Sequence, residues 1–73
     1  MDMRYIGSVC RAARERHSTT QLDVALDLGY TQDNVSRFEH GKNRSLIMLL
    51  FYLKNFFSDQ EIIDFVRGVK HDA

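Results

Sequence analysis

Residues Thr20 to Gly41 read TQLDVALDLGYTQDNVSRFEHG, and the interpretation of this stretch decides the fold. Two Thr-Gln pairs, Thr20-Gln21 and Thr31-Gln32, each open a short helix, with a single Gly29 between them. A threonine just before the first helical residue accepts a hydrogen bond from an otherwise unpaired N–H of the first turn. Asp23, three residues after Thr20, makes an imperfect capping box, with Asp in place of the usual Glu or Gln. Gly29 can take the positive φ that ends the first helix and turns the chain into the second. Two short helices joined by a tight, glycine-containing turn form the helix-turn-helix pattern.

The apolar positions support that geometry. Val24, Leu28, Tyr30, Val35 and Phe38 form one inward set at helical spacing, and Ala25 sits where the two helices approach most closely. Around the second helix, at about 100° per residue, Val35 and Phe38 point inward and Glu39 lies at the edge of that face. Asp33, Ser36, Arg37 and His40 point away. A short helix exposing such hydrogen-bonding side chains suits base edges in the major groove of duplex DNA. A solvated face of an ordinary small helical domain would look the same. The DNA reading therefore rests on Ala25, Gly29, Tyr30, Val35 and Phe38 together with the terminal Glu39-His40-Gly41-Lys42.

These residues resemble the phage repressor and Cro-like (XRE-type) helix-turn-helix domains. Gln21, Val24, Ala25, Gly29, Tyr30, Thr31, Gln32, Val35, Ser36, Phe38, Glu39, Gly41 and Lys42 stand in register with that family's motif, over roughly a third of the chain. The resemblance implies an all-α, compact, five-helix lambda-repressor-like domain. By position it implies that Gln21 holds a phosphate at the start of the first motif helix, and that Gln32, Asp33 and Arg37 read bases with Ser36 beside them. Thr31, Lys42, Asn43 and Arg44 are the further phosphate candidates, and Arg14 is expected to pair with Glu39. Three departures stand out. Thr19 occupies a normally apolar position before the first motif helix, which weakens the hydrophobic staple. No proline follows Lys42. Asp33 would be repelled by phosphates, so it either accepts from a cytosine amine or caps the second helix, where negative charge is favoured.

Length and composition set the outer limits. At 73 residues the chain is expected to fold as one domain over 1–73, near the lower end for an independent core. It has no proline, no low-complexity stretch and no charged-then-apolar leader at its start. The apolar run Leu46 to Leu53 is far shorter than the roughly 20 residues a membrane-crossing helix needs, and no membrane association is expected. A single cysteine, Cys10, rules out an internal disulfide and fits the cytoplasm of a bacterium or phage-infected host. It is expected to pack as a small apolar group, with a redox switch as the alternative. Ten basic and ten acidic residues give a net charge of zero, where a DNA-binding domain would usually be basic. Distribution softens the objection: Arg37, His40, Lys42 and Arg44 cluster, while Asp59, Glu61 and Asp64 lie in the C-terminal segment. Few phosphate contacts per subunit imply weak non-specific binding and dependence on dimerisation.

Three more helices are expected. The first spans Met3 to His17, with Ile6, Val9, Cys10 and Ala13 on one face and Arg4, Arg11 and Glu15 outward. Ser45 caps the fourth, and Ser58-Asp59-Gln60-Glu61 is a full capping box for the fifth. Helices four and five occupy 45–70, with fraying expected from Gly68 through the His71-Asp72-Ala73 tail. The fourth helix, Leu46 through Leu53, has no polar side. Either it is wrapped by the other four helices, or part of it is covered by a second copy together with Ile62, Phe65, Val66 and Val69. A two-fold dimer would set two recognition helices about 34 Å apart, one turn of B-DNA, on a palindromic operator. The same surface could instead bind a different protein.

Nothing in the chain points to catalysis. His17, His40 and His71 lack metal-ligand spacing with one another or with Cys10. Ser8 with a His and an Asp is composition without geometry. There is no glycine-rich phosphate loop, and neither a metal nor a cofactor is expected. The sequence thus reads as a dimeric DNA-binding regulator of phage, plasmid or mobile-element type, a repressor that occludes a promoter. The alternative is a protein-interaction module on the same fold, an anti-repressor or inhibitor.

Overall fold

The computed structural model describes residues 2–72 of the chain, with side chains through Gly68. Five helices follow in order: α1 (Met3–Arg16), α2 (Gln21–Leu28), α3 (Gln32–Glu39), α4 (Leu46–Phe56) and α5 (Asp59–Asp72), and no strand occurs among the described residues. No described helix is long and apolar enough to cross a membrane. The radius of gyration is 11.5 Å, close to the roughly 11 Å of a folded chain this long.

Short polar side chains define the helix starts. Asp2 accepts the Arg4 N–H for α1, and Thr31 Oγ1 accepts the Asn34 N–H at 3.2 Å for α3. Thr20 and Asp23 form both bonds of a capping box, 3.0 and 3.1 Å, despite the shorter Asp side chain. Ser45 caps α4, and Ser58 with Glu61 closes a second box on α5. α1 stops one residue short of the expected His17, which is its C-cap. Gly29 ends α2 in the left-handed region (φ 71°, ψ 29°), and the Tyr30 N–H reaches back to the Ala25 carbonyl at 2.9 Å. That bond closes the turn between α2 and α3.

One core joins the helices. Ile6, Cys10 and Ala13 of α1 meet Val24 and Ala25 of α2, Val35 and Phe38 of α3, and Met48, Tyr52 and Phe56 of α4. Leu28 and Tyr30 pack half-buried against this cluster. Tyr52 lies 5.3 Å from the Phe38 ring and 5.5 Å from Phe56. At Gly7, α1 crosses the end of α3 so closely that a Cβ would lie 2.7 Å from the Phe38 carbonyl oxygen, inside van der Waals contact. Gly41, at φ 77°, repeats the approach: a Cβ there would be 2.8 Å from the Arg4 nitrogen.

In the C-terminal half, of the two readings of α4, enclosure by the other helices does not hold, and one interface residue changes place. Met48, Tyr52 and Phe56 are buried, but Leu46, Ile47 and Leu50 are 65%, 60% and 55% exposed, because so short a chain cannot cover every side of an apolar helix. Phe65, expected at an interface between copies, is instead core: it is buried against the Tyr5 and Phe57 rings, at 6.4 and 5.8 Å. Val66 and Ile63 on α5 are exposed and Ile62 is half-buried. The Val69 and His71 side chains and Ala73 lie outside the described residues. The α5 backbone runs through Gly68 without a break.

Candidate nucleic-acid interface

The orientation of α3 is held by one buried carboxylate. The Glu39 side chain is fully buried, and Arg14 from α1 donates to it twice, Nε at 2.7 Å and Nη2 at 2.9 Å. Gln21 from α2 donates at 3.0 Å, and the Tyr52 hydroxyl from α4 donates to the other oxygen. The remaining Arg14 nitrogen, Nη1, reaches the Thr19 carbonyl at 2.7 Å. Three other helices thus converge on Glu39. Burial pushes the Glu39 carboxyl toward its neutral form, but the hydrogen bonds from Arg14, Tyr52 and Gln21 outweigh it and hold the group below the usual carboxylate range. Arg14 is raised, chiefly by its bond to Glu39. The Tyr52 hydroxyl is also raised, by burial and by the Glu39 bond, so it stays a donor. Among the described residues no buried side-chain N or O atom lacks a partner.

Turning Glu39 inward leaves α3 with a polar outer face. Gln32, Asp33 and Arg37 are exposed and Ser36 is half-buried. Asp33, Ser36, Arg37, His40 and Lys42 line one shallow groove. Thr31, not Asp33, accepts the first-turn N–H, so the Asp33 carboxylate stays in the groove without a capping bond. His40 Nδ1 lies 2.7 Å from the Ser36 carbonyl. A carbonyl can only accept, so Nδ1 carries the hydrogen of this bond.

The phosphate candidates are not all brought together. Lys42 lines the α3 groove, whereas Arg44 lines a separate cavity with Met3, Phe38 and Leu46. Asn43 is half-buried between them in the sequence. Gln21 already gives one amide hydrogen to Glu39, so only its second hydrogen remains for an outside acceptor. Thr31 is exposed, with its oxygen engaged by the α3 cap.

Sequence reasoning did not find the Tyr52 contact to Glu39. The hydroxyl lies in an apolar run whose spacing marks core and nothing more. Nor did it find the second groove, beside α1, described below. Cys10 is buried, and burial with the nearby Glu39 charge pushes its thiol up to about 12. It packs as a thiol and not a thiolate. No group of three or more His, Cys, Asp or Glu among the described residues is arranged to hold a metal ion. No protein-family model, curated protein or solved structure matches the chain.

Proposed function

We propose that this chain is a non-catalytic, sequence-specific regulator of Cro-like type that binds double-stranded DNA as a dimer and acts as a repressor. The observation that carries the reading is the outer face of α3: Gln32, Asp33, Ser36 and Arg37 face out while Glu39 is drawn wholly inside. This leaves an eight-residue helix with donors and acceptors on one side and no competing buried-pair carboxylate. Such a helix matches the dimensions and chemistry of a major groove. Arg37 and Gln32 are the base readers in this proposal, and Lys42 and the second Gln21 hydrogen contact phosphate. Selection from random duplexes at moderate salt tests it. Enrichment of a palindrome with half-sites about one helical turn apart is expected, and recovery of unselected sequences would remove the proposal.

A specific observation favours the second reading, a protein-interaction module. Leu46, Ile47 and Leu50 of α4 are each more than half exposed, and contiguous exposed apolar surface commonly marks a contact with another protein. Under the repressor reading, this face and Val66 with Ile62 belong to the contact between copies. Sedimentation of the purified chain separates the two, because a monomer that binds no duplex fits only the second.

A further inference from the structure

A second groove opens beside the α3 face, between α1 and the chain leaving α3. It has a volume of about 410 Å³ and is lined by Arg4, Ser8, Arg11, Glu39, His40 and Lys42. Its charge is one-sided. Glu39 contributes only backbone, since its side chain is fully buried. Two exposed acids stand nearby: Asp2 caps α1 two residues before Arg4, and Glu15 touches Arg11 at 3.5 Å as an exposed pair along α1, which neutralises little. The Ser8 hydroxyl donates to the Tyr5 carbonyl at 2.9 Å, so Ser8 acts as a small floor. The groove exists because Gly7 and Gly41 let α1 and the α3 end approach closely. His40 and Lys42 also line the α3 groove, so the two adjoin.

We propose that this groove binds phosphate groups and that its occupant is the backbone of the same polynucleotide that meets α3. The proposal rests on the DNA reading above and extends the interface onto α1, through Arg4 and Arg11. Two features favour a polynucleotide over a free phosphate. Arg4 and Arg11 are seven residues apart on one helix, rooted about 10 Å from each other along its axis, so the groove offers cations at two points along its length. The groove also adjoins the face proposed to read bases. The zero net charge then conceals a local run of cations, Arg4, Arg11, Arg37 and Lys42, along the two grooves, with Asp33 the acid among them.

The test compares the full chain with the Arg4→Gln/Arg11→Gln variant, both side chains being exposed and glutamine keeping the helix. Affinity for a mixed-sequence duplex is measured from 50 to 200 mM salt. Each phosphate contact adds about 0.9 to the slope of log affinity against log salt, so losing two should make the variant's decline about twelve-fold smaller. The bases enriched by selection should not change. Should the double variant fail to fold, Ser8→Glu places a carboxylate in the floor and should weaken all duplexes equally. In parallel, inorganic phosphate is titrated into the free protein while the amide signals of Ser8 and Lys42 are followed. An unchanged salt slope overturns the groove and leaves the α3 reading standing. A parent that binds no duplex, yet shows saturable phosphate shifts that the double variant loses, overturns the polynucleotide and the DNA reading together but keeps a small-anion site. Neither binding would overturn both.

Discussion

Replacing Glu39 with alanine should remove a large share of the stability of this domain. The carboxylate accepts from Arg14, Gln21 and Tyr52, and without it the Arg14 guanidinium, 8% exposed, keeps only the Thr19 carbonyl. Breaking a buried ion pair by deleting one partner costs about 3–5 kcal/mol. A 73-residue domain has roughly 4–11 kcal/mol in total, so the variant sits close to its unfolding threshold. At about 4–8 °C per kcal/mol for a domain of this size, its melting temperature should fall by roughly 12–40 °C. Thermal unfolding followed by circular dichroism, for Arg14→Ala, Glu39→Ala and the double variant, completes a mutant cycle. The double variant should lose several kcal/mol less than the two single losses added, because the second deletion removes the charge stranded by the first. Strict additivity would refute the pairing as an energetic unit. The same carboxylate shapes the acid limb of stability. Its folded-state pKa is depressed, so its contribution is present above the unfolded value of about 4.3 and is lost as pH falls through the folded value. Glu39→Gln should therefore flatten part of the decline below about pH 4.3. Asp23 and Glu61, held low by their capping bonds, keep the rest.

Arg37→Ala should cost about 1–3 kcal/mol on the preferred duplex and relax selection at one base pair per half-site; equal loss on every sequence, read by competition binding, would reassign Arg37 to a phosphate. Val66→Asp should stay folded and sediment as a monomer with much weaker operator binding, whereas Phe65→Asp should unfold the chain because that ring is buried against Tyr5 and Phe57. A Val66→Asp monomer that binds duplex as tightly as the parent would remove dimerisation from the proposal. Cys10 should resist alkylation at neutral pH in the folded chain, where its thiol is pushed up to about 12, and react at once in denaturant; fast labelling of the native protein would contradict its burial.

The local signals in this chain were legible without coordinates because each acts within a few residues. Thr20, Thr31, Ser45 and Ser58 sit beside the N–H groups they cap, and Gly29 ends α2 by its own backbone freedom. The inward set of Val24, Val35 and Phe38 follows from helical periodicity alone. Other features depend on where separate helices meet. Periodicity does not distinguish Tyr52, the buried donor to Glu39, from its apolar neighbours in α4. The side of α4 left uncovered, at Leu46, Ile47 and Leu50, depends on how much chain remains to pack against it. The burial of Phe65 depends on Tyr5, sixty residues earlier in the sequence. Arg4 and Arg11 read simply as a solvated face of α1 until Gly7 and Gly41 bring them beside His40 and Lys42. Capping and amphipathicity are properties of a segment, whereas burial, pairing and the grouping of charge are properties of the packed chain, because they depend on distances that no local spacing encodes.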